Sequence, residues 1–281
     1  MSCDGKIFEG RVRELLRLSE YEMRASSFLT PAEQQTAFEI ALHEKESDRC
    51  FFWGGAFDAE RRLLIAIPEW MIPDYGALGG VFDEKRETVF HSMLAENEVD
   101  LTPFLSAVEM TSAGYDELCH RDYLGALLSM GIDRSAVGDI AVLEERRAVA
   151  FMKPAACTVA LSELKRAGRD TLRVYPYDGV GGKCERETLR IPREYEFIDE
   201  TVMSERLDGV VKAICKMSRD DALELVKRGD VTLNYKQETK PDRLLVPGDV
   251  LSVRGIGKFI YDGNGGVNRR GRVKIHVRKY L

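Results

Sequence analysis

The sequence predicts an α+β protein with more than one domain. In some stretches apolar residues recur with the spacing of an amphipathic helix, and in others they alternate with polar residues as in a half-buried strand. A length of 281 residues is enough for two or three domains that each bury a core. With 44% hydrophobic and 31% charged residues, the composition is that of an ordinary soluble protein.

The first region, residues 1–80, is predicted to hold two helices and a pair of strands. A helix is expected over residues 7–26, and a second begins at residues 30–33, Thr-Pro-Ala-Glu. There the Thr can cap the helix, the Pro suits its first turn and the Glu can reach back to the cap. Residues 51–57 and 62–67 are expected to form paired strands, and the prolines and glycines that follow them indicate a boundary or a loop.

The second region, residues 81–185, is predicted to be an α+β domain of ordinary size. The patterns indicate, in order, a strand at 101–110, a helix at 120–130, strands at 139–143 and 147–152, a helix at 154–167 and a strand at 171–175. The two central strands are expected to be joined by a charged turn at 144–146. Residues 176–199, rich in Pro, Gly and charge, connect this domain to the last one.

The third region, residues 200–281, begins with two short amphipathic helices. Their apolar residues follow the i, i+3, i+4 and i+7 spacing from Leu207 and from Ala222. Ser204 and Ser218 stand where N-caps are expected, and Gly229 stands where a left-handed residue ends a helix. The region is therefore predicted to open with helix, turn and helix.

Strand patterns fill the rest of the third region. Residues 231–234 alternate between apolar and polar. Pro247-Gly248 suits a tight turn, and a second strand is expected after it at residues 250–253. In the tail, apolar residues at 273, 275 and 277 alternate with basic ones, which predicts a final strand with one basic face. The glycine-rich residues 263–266 are expected to form a loop.

Charge is divided unevenly along the chain. Residues 201–281 hold 17 of the 41 Lys and Arg and 10 of the 47 Asp and Glu, an excess of seven basic residues. Residues 1–200 hold the other 24 basic and 37 acidic residues, an excess of 13 acidic ones. This asymmetry is typical of a module that binds a polyanion, carried by an acidic body.

Several classes of protein are not indicated. The six cysteines are scattered with no C-x-x-C pair, which predicts reduced thiols in the cytoplasm and no zinc site. No run approaches the roughly 20 apolar residues of a membrane span, and no secretory signal is expected at the start. The Gly-rich residues 179–183 are not a P-loop, because Cys184 replaces the required Ser or Thr. No cofactor is predicted.

Four motifs in the third region resemble the S4-type RNA-binding domain. They are R-L-D at 206–208, S-R-x-x-A at 218–222, G-x-V-x-L-N at 229–234 and P-G-D at 247–249. The resemblance implies that this region binds structured RNA with its helix–helix–β module.

Motifs spread over nearly the whole chain resemble the YlmH family. They lie at 28–34, 54–55, 120–132, 138–140 and 252–259. The resemblance implies a bacterial cytoplasmic protein with an RNA-binding-like α+β body and an S4-type domain at its C-terminus. It further implies binding to the large ribosomal subunit, through rRNA and possibly tRNA, in the rescue of stalled subunits that carry tRNA. No DNA partner is expected.

The candidate site is the basic surface of the third region. Arg219 is the leading residue, since its guanidinium can fork onto a phosphate beside the free N–H groups at the start of a helix. Alternatives remain: Asp220 and Asp221 could balance Arg219, and Asn234 could serve a turn. Arg206 and Asp208 could pair with each other and not contact RNA. The cations near the helix ends could instead complement the helix dipole, and these are Lys212, Lys216, Lys227 and Arg228. The residues predicted to bind RNA are Arg206, Lys212, Lys216, Ser218, Arg219, Lys227, Arg228, Asn234, Lys236, Arg254, Lys258, Arg269, Arg270, Arg272 and Lys274.

A second candidate surface is His120-Arg121-Asp122. The triplet has the letters of a kinase catalytic loop, but the required Asn is replaced by Leu127 and no phosphate-binding glycine loop precedes it. The three residues are therefore expected to cap a helix and to contribute a secondary contact with RNA or the ribosome.

No enzymatic activity is predicted. Pseudouridine synthases carry an R-L-D triplet with a catalytic Asp, but Arg206-Leu207-Asp208 lies inside the S4-like helix and no second such triplet occurs in the acidic body. An RNA-modifying enzyme of that type remains one alternative. A cell-division-associated adaptor, in which RNA binding is secondary, is the other.

Overall fold

A computed structural model describes residues 3–72, 80–81, 84–114, 117–143, 146–179 and 189–281. The helices are α1 (Cys3–Leu18), α2 (Pro31–His43), α3 (Glu84–Glu96), α4 (His120–Ser129), α5 (Pro154–Glu163), α6 (Leu207–Cys215) and α7 (Arg219–Arg228). The strands are β1 (Arg24–Leu29), β2 (Cys50–Trp53), β3 (Arg62–Ala66), β4 (Ser106–Ser112), β5 (Val137–Leu143), β6 (Arg147–Met152), β7 (Arg166–Ala167), β8 (Asp170–Pro176), β9 (Tyr195–Val202), β10 (Val231–Leu233), β11 (Lys236–Gln237), β12 (Val250–Val253), β13 (Gly257–Val267) and β14 (Val273–Tyr280).

The predicted α+β class is confirmed, since helices pack against sheets whose named strand pairs are antiparallel. The chain divides into two compact units, Met1–Pro192 and Arg193–Leu281. The boundary predicted near residue 80 stays a prediction. One cluster of buried side chains has members on both sides of it, among them Phe51, Trp53, Met93 and Phe151.

The described residues of the N-terminal unit form two antiparallel sheets. The first has the order β1-β3-β2 and packs against α1 and α2, and the second has the order β5-β6-β4-β8-β7 and packs against α4 and α5. The predicted start of α2 is confirmed: the Thr30 hydroxyl accepts the Glu33 N–H at 3.4 Å, and the Glu33 carboxylate accepts the Thr30 N–H at 2.7 Å. None of the described helices is long and apolar enough to span a bilayer.

Four element boundaries in this unit differ from the prediction, and the fourth is the strand expected over residues 51–57, which ends at Trp53, before Gly55 with its positive φ of 94°. The helix expected over residues 7–26 ends at Leu18, because residues 24–29 pair with β3 as a strand. The buried Arg49 guanidinium accounts for that end, since it donates to the carbonyls of Leu16 and Ser19 at the C-terminus of α1. The strand expected at 101–110 begins only at Ser106.

The third difference is at α5. The helix expected over residues 154–167 ends at Glu163, because Arg166–Ala167 pair with β8. Two further predictions, the acidic residues of the turn at 144–146 and most of the segment 179–183, lie outside the described residues.

The C-terminal unit is a six-stranded antiparallel sheet of order β11-β10-β12-β13-β14-β9, with α6 and α7 on one face. Apolar side chains from both helices and the strands form one core, which includes Leu207, Val211, Val226, Phe259 and Ile275. The predicted succession of helix, helix and strands is observed. Sequence analysis missed β9, whose residues fell in the connecting segment, although it pairs along its whole length with β14.

The cap predictions for this unit are partly confirmed. Ser218 caps α7, its hydroxyl accepting the Asp221 N–H at 3.1 Å, and Gly229 ends α7 with φ of 80°. Ser204 is not a cap: α6 begins at Leu207, and Arg206 occupies the N-cap position without a side-chain hydrogen bond to the helix backbone.

The tail forms the predicted final strand, β14, with Ile275 and Val277 buried. The loop predicted at residues 263–266 is wrong, because these residues continue β13. Near Gly263 and Gly266 the pairing of β13 with β14 shifts in register. The backbone adopts positive φ at both residues, a conformation that glycine accommodates.

Candidate nucleic-acid interface

One groove on the C-terminal unit collects four of the predicted RNA-binding residues. It encloses about 250 Å³ between the end of β9, the N-terminal half of α6, the start of α7 and the residue that precedes β14. Arg206, Lys212, Arg219 and Arg272 all line it. The fold therefore brings together cations that are up to 66 residues apart in the sequence.

A buried carboxylate organises the floor of this groove. Asp208 is only 2% exposed, and its Oδ1 accepts the Gly209 N–H at 3.0 Å. Arg206 donates from Nε to Oδ1 at 3.1 Å and from Nη2 to Oδ2 at 3.4 Å, which raises the pKa of Arg206. Arg219 Nη2 lies 4.0 Å from the same carboxylate while its side chain remains 72% exposed. Asp208 thus holds one guanidinium and leaves the other directed at solvent.

The start of α7 departs from the arrangement expected for phosphate binding. The Asp221 N–H is occupied by Ser218, and Asp220 and Asp221 both place negative charge in the first turn. A phosphate beside free N–H groups is therefore disfavoured here, because the acids already complement the helix dipole. Arg219 can still reach an anion through its own guanidinium.

Six exposed cations of the predicted set make no ion pair with any residue that the structure describes. They are Lys212, Lys216, Lys227, Arg269, Arg270 and Arg272. The three arginines lie in or beside the turn between β13 and β14, where the Asn268 side-chain oxygen accepts the N–H groups of Arg270 at 2.9 Å and Arg272 at 3.0 Å. This turn holds the arginines close together without neutralising them.

Other predicted cations are balanced locally. Arg228 and Arg254 both contact the carboxylate of Asp230, the latter at 3.6 Å. Lys274 lies 3.2 Å from Asp199 of the neighbouring strand β9. Such exposed ion pairs contribute little to stability, so they can exchange an acid for a phosphate. Their charge is nevertheless less available than that of the six cations above.

Three remaining predicted residues have identified surroundings. The Asn234 amide donates to Asp249 at 2.7 Å and its oxygen accepts the Val250 N–H at 2.9 Å, so this side chain holds a turn, which was the alternative interpretation. Lys258 Nζ lies 4.9 Å from the ring centroid of Tyr235 and 4.6 Å from that of Tyr280. Lys236 is exposed in β11.

The second candidate surface lies at the start of α4. The Asp122 carboxylate accepts the Cys119 N–H at 2.8 Å. Hydrogen bonds with the Cys119 side chain and then with this N–H lower the pKa of Asp122. The predicted capping role is thus confirmed for Asp122. His120 and Arg121 are exposed beside it, and their contact with RNA or the ribosome stays a prediction.

The described residues contain no cluster of His, Cys, Asp and Glu that could hold a metal ion. Burial raises the pKa of Cys50 to about 12 and that of Cys215 to about 11, so both thiols stay protonated and unreactive at neutral pH.

Two features of the site escaped sequence analysis. One is the side of the groove formed by the end of β9, which includes Thr201 and Val202. This strand could not be predicted because its apolar and polar residues do not alternate regularly. Asn268 could have been found, since Asn followed three residues later by Gly271 is a common turn signal.

The chain is similar to a family model, to a known protein and to a solved structure. Residues 104–177 match the family model described as the putative RNA-binding domain in YlmH. The "ribosome-associated protein quality control protein P2" of Bacillus subtilis is 28% identical over 259 residues, which cover 91% of this chain and 87% of that protein. The solved structure of the "cell division protein ylmH" from Streptococcus pneumoniae covers 63% of this chain and 93% of its own, at 17% identity and a TM-score of 0.44.

Proposed function

The resemblance to the YlmH family is confirmed, and from this premise we propose that the chain binds structured RNA on the large ribosomal subunit. Its role there is in quality control of stalled subunits that carry peptidyl-tRNA. The Bacillus subtilis relative is named as a ribosome-associated quality control protein, which supports this role and a cytoplasmic location.

The observation that carries the proposal is the convergence of Arg206, Lys212, Arg219 and Arg272 on one groove. Guanidinium and ammonium groups held at fixed positions recognise the spacing of phosphates, which suits a folded RNA better than a particular sequence. The unneutralised Arg269 and Arg270 extend the positive charge beyond the groove. The S4-type character of this unit is part of the proposal.

The body of the chain has a different part in this proposal. Residues 1–200 carry an excess of 13 acidic residues, so most of their surface is repelled by RNA. The YlmH-type RNA-binding domain at residues 104–177 is the exception, with Arg121 exposed at the start of α4. We expect RNA to contact the body through that surface alone.

We also propose that the chain is not an enzyme. Asp208, the residue of the R-L-D triplet that would be catalytic in a pseudouridine synthase, is buried under Arg206 and holds the Gly209 N–H. A carboxylate engaged in this way serves the fold and has little freedom to act on a base.

Binding of the full chain to a blunt RNA duplex and to a tRNA, followed by fluorescence anisotropy, tests the proposal. We expect Arg219→Glu combined with Arg272→Glu to weaken both interactions by tenfold or more, since two attractions in the groove become repulsions. Arg17→Glu in α1 is the matched control, because it changes an exposed arginine of the acidic body. Equal affinities for the wild type and the groove variant would overturn the assignment.

A further inference from the structure

The sheet of the C-terminal unit has a second face, opposite to the one that packs against α6 and α7. Register places Tyr195 opposite Tyr280 and Phe197 opposite Arg278 on β9 and β14. The next pair along the strands, Ile198 and Val277, packs in the core, so the first two pairs face the other way. Lys258 and Lys274 point the same way, since their neighbours Phe259 and Ile275 are buried. We define these six outward residues, Tyr195, Phe197, Lys258, Lys274, Arg278 and Tyr280, as the open face.

Aromatic rings and cations are interleaved on the open face. The rings of Tyr195 and Tyr280 lie 5.2 Å apart at 65°, with the Arg278 guanidinium 5.0 Å from the first and Lys258 Nζ 4.6 Å from the second. Phe197 extends this row along β9 and is 78% exposed. The rings of Tyr195 and Tyr280 are thus held in place by the cations that contact them.

Two carboxylates beside the open face are already paired. Asp199 is engaged by Lys274 and His276, at 3.2 and 2.7 Å. Asp262 accepts two hydrogen bonds from Arg278 Nε and Nη2. These pairs balance the charge of both acids and of Lys274 and Arg278, so the open face neither repels RNA nor relies on free charge, and its exposed rings are what it offers a nucleotide.

We propose that the open face binds unpaired RNA nucleotides, whose bases stack on Phe197, Tyr195 and Tyr280. Rings on adjacent residues of one strand face are about 7 Å apart, a spacing that bases separated by an extended backbone can match. Stacking on aromatic rings accepts every base, so the surface is selective for unpaired RNA and tolerant of its sequence. This inference rests on the proposed function and adds a single-stranded site to the groove that takes structured RNA.

The test measures the affinity of the full chain for a short fluorescein-labelled oligouridylate and for a blunt RNA duplex. Phe197→Ala removes an exposed ring without opening the core, and we expect it to weaken oligouridylate binding about fivefold or more while duplex binding stays unchanged. Phe197→Tyr retains a ring and should bind as the wild type does. Tyr21→Ala removes a ring that is 83% exposed in the N-terminal unit and should change neither affinity.

A direct readout comes from Phe197→Trp, whose fluorescence should be quenched when a base stacks on the new indole. The wild type, in which Trp53 and Trp70 both lie in the N-terminal unit, supplies the background signal. Quenching by oligouridylate beyond that background supports the inference. If oligouridylate causes no quenching beyond that background, the inference is contradicted.

The outcomes separate this inference from the proposed function. If the wild type binds neither RNA, the proposed function itself fails. If it binds the duplex while Phe197→Ala and the wild type have equal affinities for oligouridylate, only the open face is wrongly assigned. If Phe197→Ala releases the protein from ribosomes with oligouridylate affinity unchanged, the face contacts a protein, and the inference is overturned.

Discussion

At the scale of single residues, Asp208 determines how the groove presents its charge. It is buried, it binds Arg206 through both carboxylate oxygens, and it lies 4.0 Å from Arg219. Removing this buried acid would leave the Gly209 N–H without its acceptor and Arg206 without its carboxylate partner, and a backbone donor left without a partner costs free energy.

We therefore predict that Asp208→Ala lowers the free energy of unfolding of the C-terminal unit by about 2 kcal/mol. Urea unfolding followed by circular dichroism measures this change in the free energy of unfolding. Glu224→Ala, at an exposed position of α7, is the control and should change stability by less than about 0.5 kcal/mol. Equal effects of the two substitutions would mean that Asp208 has no organising role.

A second residue, His91 on α3, makes the stability of the N-terminal unit dependent on pH. Its ring lies 4.3 Å from that of Trp53 and 5.4 Å from that of Phe57, and its Nε2 has no hydrogen-bond partner among the described residues. Burial lowers the pKa of His91 below its ordinary value. The unfolded chain therefore binds a proton at a pH at which the folded chain still excludes it.

The sign of the effect follows from this difference. The stability is fully present above the ordinary histidine pKa of about 6.5 and decreases as the pH falls from there toward the lowered pKa of the folded state. We predict that the wild type loses more stability between about pH 7 and about pH 5 than His91→Phe, which keeps a ring but does not titrate. Tryptophan fluorescence during urea unfolding reports the N-terminal unit, which contains Trp53 and Trp70. Identical losses in the two proteins would contradict the prediction.

At the scale of elements, the turn between β13 and β14 is the most concentrated source of free positive charge. Asn268 orders it through bonds to the N–H groups of Arg270 and Arg272, and Gly271 supplies the positive φ that closes it. The three arginines project from a turn braced by two long strands, so their positions are set by the sheet. Each one can neutralise a phosphate and release a counterion.

Replacing Arg269, Arg270 and Arg272 by Ala should weaken binding to RNA of any sequence and flatten its salt dependence. Each phosphate that the variant no longer neutralises lowers the slope of log affinity against log salt concentration by somewhat less than about one unit. Anisotropy titrations at several salt concentrations measure the slope. Arg228→Ala, which removes a cation already paired with Asp230, should change it less. An unchanged slope in the triple variant would show that the turn does not touch phosphates.

The local signals of the elements could be predicted from sequence, and the long-range pairings could not. The capping box at Thr30, the cap at Ser218 and the left-handed Gly229 all follow from residue types at fixed spacings, and all are observed. The end of α1 depends on Arg49, about thirty residues away, and no local pattern reveals it. Glycines at 263–266 indicated a loop because sequence alone does not show the strand that supports them.

The same distinction applies to the candidate site. Arg206, Lys212 and Arg219 were predicted from their motifs, and the structure adds that Arg272 joins them in one groove. The sequence did not indicate which cations are neutralised by acids. Lys274, for example, pairs with Asp199, which lies on β9, 75 residues earlier in the chain. The ring that Phe197 contributes to the open face was hidden in a segment that resembles a linker.

At the scale of the whole molecule, charge is divided between two units. The C-terminal unit carries the groove, the arginine turn and the open face, and the acidic body contains residues 104–177, which match the model of the putative RNA-binding domain in YlmH. Under the proposed function, the basic unit docks where RNA backbone is exposed, and repulsion turns most of the acidic body away from the RNA. Large subunits stalled with peptidyl-tRNA expose rRNA and tRNA that the intact ribosome covers, which is the destination that the proposed function assigns.

The most direct test of this account is sedimentation of the full chain with ribosomal particles through a sucrose gradient at near-physiological salt. The account predicts that the wild type travels with free large subunits and not with small subunits or translating ribosomes, and that Arg17→Glu does the same. Arg219→Glu should remain at the top of the gradient, because it reverses the exposed charge of the groove. Equal association of wild type and Arg219→Glu, or a wild type that sediments with small subunits, would contradict the account.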